Sequence, residues 1–241
     1  MDNLWDGDRR FFGEAHWRKP LEWARKANGT RPRVFANSMG DIFDNDEQVG
    51  PARSRLWQLI RETPELDWLL LTKRIGNARR MLPEDWDAGY PNVWLGITVV
   101  NQEEADRDVP KLLNIPATIR FLSCEPLLGP ILLDHEWLCS EYFGHSEDCR
   151  DDLCALNGDA HSCIGRVFQQ PSIDWVICGG ESGSKARALD VEWAQRLRED
   201  CQLTGVAFFM KQGSQANWED FKDFERFPPS VKVREFPEVL A

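Results

Sequence analysis

Six short apolar runs punctuate the chain: Arg33–Ala36, Trp68–Leu71, Val93–Ile97, Thr118–Leu122, Trp175–Cys178 and Val206–Met210. Each is continuous rather than alternating, the pattern of a strand buried on both faces, as in a parallel sheet. Segments of helical period lie between them. Pro51–Thr63 places Leu56, Leu59 and Ile60 on one face. Asn101–Leu113 opens with an N-cap residue and acids in its first turn. Asp190–Leu203 opens in the same way and aligns Trp193, Leu197 and Cys201. Strand–helix–strand alternation is the signature of βαβ units, whose right-handed crossovers place helices outside a barrel or an open sheet. The pattern therefore predicts an α/β fold, a partial parallel (β/α) barrel over residues 1–214. A polar segment, 134–170, interrupts it. A C-terminal tail, 215–241, follows, in which Pro228-Pro229 breaks any long helix.

Composition narrows the class. The 241 residues fit one such domain, and 13 Phe and 11 Trp supply its core. There is no run of 18 apolar residues and no apolar signal region at the N-terminus, so the chain reads as cytoplasmic with no membrane partner. A net charge of −11 repels phosphate backbones. A long duplex is thus disfavoured, and a small molecule, a nucleotide or a partner protein is expected. Two basic stretches, KPLEWARKANGTRPR and TKRIGNARR, read first as solvated faces and second as a local basic patch.

Ligands of parallel α/β folds bind beyond the carboxyl ends of the strands. The six runs are followed by Asn37-Ser38-Met39-Gly40-Asp41, Thr72-Lys73-Arg74, Thr98-Val99-Val100-Asn101, Ser123-Cys124-Glu125, Gly179-Gly180-Glu181-Ser182-Gly183 and Lys211-Gln212. Hydrogen-bonding side chains thus stand at every strand end, and this face is the expected binding or catalytic site. Lys73, Glu125, Glu181 and Lys211 are the candidate catalytic groups. Asn37, Ser38, Asp41, Arg74, Thr98, Asn101, Gly179, Gly180, Ser182 and Gln212 are the candidate cofactor-binding residues. Glycines let a ligand approach the backbone or merely serve a tight turn. Glu125 and Glu181 can hold a cationic ligand group or can pair with Lys73, Arg74 or Lys211.

The seven cysteines, an odd number with no secretory signal, do not suggest a disulfide framework. Four cluster with two histidines as Cys139-x5-His145-x3-Cys149-x4-Cys154-x6-His161-x-Cys163. Zinc takes four such ligands. A polar segment with little apolar core of its own gains folding free energy from a metal. Zinc is expected there on Cys139, Cys149, Cys154 and Cys163, with His145 or His161 as substitutes; a loop with scattered thiols is the other reading.

The phrases VFANSMGDIFD, WLLLTKR, NVWLGITVVNQ, RFLSCEPLLGPI, IDWVICGGESG and GVAFFMKQ follow one another as in the phage-associated Gp-thirty-seven/Gp-sixty-eight family, which this chain resembles from about Phe12 to Gln212. The resemblance implies a radical-SAM-like barrel of unknown function that takes S-adenosylmethionine. It also implies an N-terminal Cys-x3-Cys-x2-Cys segment holding a [4Fe–4S] cluster. Here the first cysteine is Cys124, so no such cluster is expected from this chain. Three accounts stand: a sequence that begins late, a cluster supplied by another chain, or a pocket kept after its cluster was lost. Function is accordingly open between a radical-SAM-like enzyme, a zinc-stabilised binding module without chemistry, and a subunit completed by a partner.

Overall fold

The structure, a computed structural model, describes residues 11–36, 40–144, 166–218 and 221–238. Its elements run α1 (Glu14–Trp17), α2 (Lys19–Lys26), β1 (Arg33–Ala36), α3 (Val49–Glu62), β2 (Asp67–Thr72), α4 (Ile75–Met81), β3 (Val93–Thr98), α5 (Gln102–Leu113) and β4 (Ile119–Cys124). Then come α6 (His135–Leu138), β5 (Glu141–Gly144), β6 (Arg166–Gln169), β7 (Trp175–Gly179), α7 (Val191–Thr204) and β8 (Ala207–Gln212). Six strands form one all-parallel sheet in the order β1-β2-β3-β4-β7-β8. The sheet is curled into a half-barrel with helices packed on it. Each apolar run anticipated from the sequence is one of these strands, within one or two residues at either end.

Period-two geometry sorts the strand residues between two faces. On one, Trp68, Leu70, Val93, Leu95, Ile97, Leu122, Val176 and Phe208 meet the helices through Leu56, Leu59, Ile60, Ala105, Val109, Leu112, Ala194 and Leu197. On the other, helix-free face, Leu69, Trp94, Ile119, Phe121, Trp175 and Ile177 form a second buried cluster, bordered by Leu71, Ala207 and Phe209. This is the inner face of the curl. Both expected helix caps form. Asn101 accepts from the Glu104 amide at 3.0 Å, and Asp190 from the Glu192 amide at 2.9 Å.

Two segments carry more structure than their polarity suggests. Within 134–170, α6 is followed by an antiparallel ribbon in which β5 pairs with β6, Glu141 facing Gln169 and Gly144 facing Arg166. Beyond 215, the chain returns along the outer edge of β8: the Met210 amide donates to the Val233 carbonyl, and the Glu235 amide to that of Phe208, both at 2.8 Å. Phe236 then packs on Trp175 and Phe209 at centroid distances of 5.3 and 5.2 Å. The Arg33 guanidinium lies 3.8 Å from the Phe236 ring centroid and 5.4 Å from that of Trp94. Aromatic and cation–π contacts thus cover part of the N-terminal end of the half-barrel, beside a cavity of about 660 Å³ bordered by Ile119, Asp174, Ala207 and Phe236. The strand C-termini form the opposite rim, the mouth.

Candidate functional site

Strand register arranges the inner face in rows. Phe35, Leu69, Trp94 and Ile119 form the row nearest the N-terminal end. Above it run Leu71, Gly96, Phe121, Trp175 and Ala207. A Cβ on Gly96 would stand 2.3 Å from the Phe121 ring, so glycine there is what lets the ring lie flat across β3. The next row reads Thr98, Ser123, Ile177, Phe209. Thr98 and Ser123 are about 5% and 4% exposed, and neither hydroxyl has a hydrogen-bond partner among the described residues. Two rows below, the buried Trp94 indole N–H has no partner among the described residues. A fully covered polar group normally finds a partner; the Thr98 and Ser123 hydroxyls, unlike the Trp94 indole, keep access to solvent.

At the mouth, Lys211 donates to Glu125 at 2.8 Å across the ends of β4 and β8. Glu125 is largely covered, with 18% of its side chain exposed, whereas 54% of Lys211 is exposed. This is the ion pair that the sequence offered as one of two readings for Glu125. Glu181 pairs instead with Arg187, which donates from its backbone amide (2.8 Å) and its Nε (2.9 Å). These bonds hold the Glu181 carboxyl at about 2, well below the usual carboxylate range.

Several strand-end residues are spent on holding loops. Asp41 accepts from the Thr72 hydroxyl (2.8 Å) and from the amides of Phe43 and Lys73 (2.9 Å each), tying the segment after β1 to the end of β2. Arg74 donates its amide to the Thr72 hydroxyl and points its guanidinium toward Asp44, 3.6 Å away. Asn101 is the α5 cap. Gln212 donates to the Gly180 carbonyl at 2.8 Å. A Cβ on Gly180 would stand 2.6 Å from the Ser214 amide nitrogen, so its glycine serves backbone packing between the β7 and β8 ends. Gly179 lies under the Glu125 side chain. Ser182 is exposed. The groups brought together and left free for a ligand are therefore Thr98, Ser123 and Lys73, with the Glu125–Lys211 pair beside them.

Asn37, Ser38, His145, Cys149, Cys154, His161 and Cys163 lie outside the described residues. Cys139 follows α6, with its Sγ 3.2 Å from Nε2 of His135, a residue the cysteine spacing did not single out. Among the described residues no group of three or more metal-ligating side chains converges. Cys124, Cys178 and Cys201 are buried in the helix-side core, and burial pushes all three thiols up. Cys124 and Cys178 stand near the ends of β4 and β7, but all three thiols point into the helix-side core rather than toward the inner face.

No helix among the described residues is long and apolar enough to cross a membrane. Over residues 2–235 the chain matches the model of a family described as a protein of unknown function, DUF5131. It belongs to that family. No curated protein and no solved structure matches it.

Proposed function

We propose that this chain is a radical-SAM-like half-barrel of phage type, without a cluster of its own, that holds a small polar molecule or nucleotide in its mouth. What supports the reading is the inner-face row of unpartnered hydroxyls, Thr98 and Ser123, between an aromatic floor and the Glu125–Lys211 pair. A ligand inserted there gains apolar contact below and hydrogen bonds at its middle. At its upper end, a group bearing both charges exchanges with the ion pair. S-adenosylmethionine has this make-up. Glu125 would take its ammonium and Lys211 its carboxylate, and when bound it supplies an activated methyl or adenosyl group. Calorimetric titration with S-adenosylmethionine, nucleosides and nucleotides tests the reading. At least one should bind, with Glu125→Gln and Lys211→Gln each weakening it about tenfold, the worth of one charge-assisted hydrogen bond. Unchanged affinity in both variants would sink the assignment.

A second reading, a zinc-stabilised binding module or partner subunit, draws support from the base of the 134–170 segment. The β5–β6 ribbon brings its flanks together, and the exposed His135–Cys139 contact presents two zinc-type donors beside it. Elemental analysis of purified protein decides: near-stoichiometric zinc supports this reading, and its absence removes it.

A further inference from the structure

On the outer side of the rim, between α4 and α5, a cavity of about 250 Å³ is bordered by Lys73, Arg74, Gly76, Arg107, Asp108 and Lys111. Four cations around one small cavity stand out in a chain of net charge −11. Their arrangement is fixed from below. Asp108, only 8% exposed as a side chain, accepts from Arg107 at 2.7 Å on one oxygen and from Lys111 at 2.8 Å on the other. Both its oxygens are thereby used. Nη1 of Arg107 and the remaining donors of Lys111 have no partner among the described residues. The Lys73 ammonium has none either; only its backbone amide is engaged. Arg74 is offset by Asp44. Of the carboxylates around these cations, Asp108 and Asp44 pair with them directly, while Glu103 and Glu104 act on Arg107 from a longer range. The donors that face the cavity are the Lys73 ammonium, Nη1 of Arg107 and the remaining donors of Lys111.

We propose that this cleft is a phosphate subsite, and that the ligand of the mouth carries a phosphate monoester. The second half of that statement rests on the mouth being a ligand site. A monoester at neutral pH brings close to two negative charges and three acceptor oxygens. The cleft offers the matching charge and donors, already held in place by a covered carboxylate. Lys73 joins the two regions. It directly follows the Thr72–Ile97 pair of the sheet, at the level of Thr98, and also borders the cleft. Asp108 is a positioning residue: it touches no phosphate and holds two cations that do.

The test uses inorganic phosphate first, titrated into the whole protein at low ionic strength and followed by calorimetry and phosphorus NMR. Saturable binding of one equivalent is expected. Lys73→Gln, which disturbs no contact among the described residues, should weaken it about five- to tenfold, and added salt should weaken it further. Arg107→Gln should weaken it at least as much, and Asp108→Asn severalfold, because Lys111 and Arg107 are then no longer held. Glu125→Gln should leave phosphate affinity unchanged, which separates failure of the cleft from failure of the mouth. Adenosine 5′-monophosphate should then bind more tightly than adenosine, an advantage lost in Lys73→Gln. Non-saturable phosphate binding, or affinity indifferent to both Lys73→Gln and Arg107→Gln, overturns the subsite. A short single-stranded oligonucleotide binding more tightly than the monoester overturns the small-molecule assignment.

Discussion

Replacing Gly96 by alanine probes the packing on which the inner face depends. The new Cβ would lie 2.3, 2.4 and 2.5 Å from three carbons of the Phe121 ring. Ordinary contact needs roughly 3.5–4 Å, so the ring must retreat by more than about 1 Å. It cannot do so freely. Phe121 is fully buried, with Trp175 at 5.8 Å on its far side. Over-packing of a filled core costs about 1–3 kcal/mol, and the rigidity of this neighbourhood argues for the upper half of that range. In a domain of this size such a cost lowers Tm by about 4–12 °C. Urea denaturation of the wild type and Gly96→Ala measures it, and a double-mutant cycle with Phe121→Leu locates it. The smaller side chain should absorb about 1 kcal/mol or more of the penalty. A cost below about 0.5 kcal/mol, or the same cost in both backgrounds, would refute the placement of Phe121 over β3.

Other consequences follow from groups nearer the surface. Burial raises the Asp174 carboxyl above its ordinary value, against the opposing pull of the Arg120 amide and guanidinium. A carboxyl raised by folding stabilises the protein below its unfolded pKa, and that contribution is lost as pH rises through the folded value. Urea midpoints from pH 4 to 7 should therefore decline less with pH in Asp174→Asn than in the wild type; parallel curves would contradict this. The Glu181 carboxyl works in the opposite sense: held at about 2 by Arg187, it contributes stability above its unfolded pKa that disappears as pH falls toward 2. Carbon NMR should find its midpoint there and, in Arg187→Gln, clearly higher but still below the ordinary value of about 4.3, because the backbone amide of residue 187 still donates; a wild-type midpoint near 4 would break the argument. Asn101→Ala removes the α5 cap and should cost about 1 kcal/mol in chemical denaturation. An unchanged midpoint would mean that the cap bond is not maintained in solution.

The strands were legible because burial on both faces leaves an uninterrupted apolar run, as in Leu69-Leu70-Leu71 and Trp175-Val176-Ile177. The starts of α5 and α7 were legible because Asn101 and Asp190 use a local bond that needs no knowledge of the fold. The row of polar strand ends was visible too, but local sequence could not divide it into holders and free groups. Asp41 and Gln212 look as ligand-ready as Thr98. Only register and distance show that Asp41 binds Thr72, 31 positions away, while the Thr98 and Ser123 hydroxyls lie side by side with no hydrogen-bond partner among the described residues. Ser123 appeared in the strand-end row but gave no sign of its importance, since a continuous apolar run does not reveal which face is concave. Arg107 and Lys111 were hidden for another reason. Their i, i+4 spacing is that of any solvated helix face. Their meaning comes from Asp108 beneath them and from Lys73, brought across by the β2–α4 turn. The return of the C-terminal segment along β8 depends on backbone pairing, which a polar sequence with two prolines does not advertise.

The central claim is that the mouth of the half-barrel receives the ligand. Amide and methyl chemical-shift mapping with a panel of S-adenosylmethionine, nucleosides and nucleotides tests it most directly. The account predicts that at least one member binds and that its largest perturbations centre on Thr98, Ser123, Glu125 and Lys211 at the C-terminal strand ends. Perturbations centred on the N-terminal end around Arg33, Trp94 and Phe236, or no binding by any member of the panel, would contradict it.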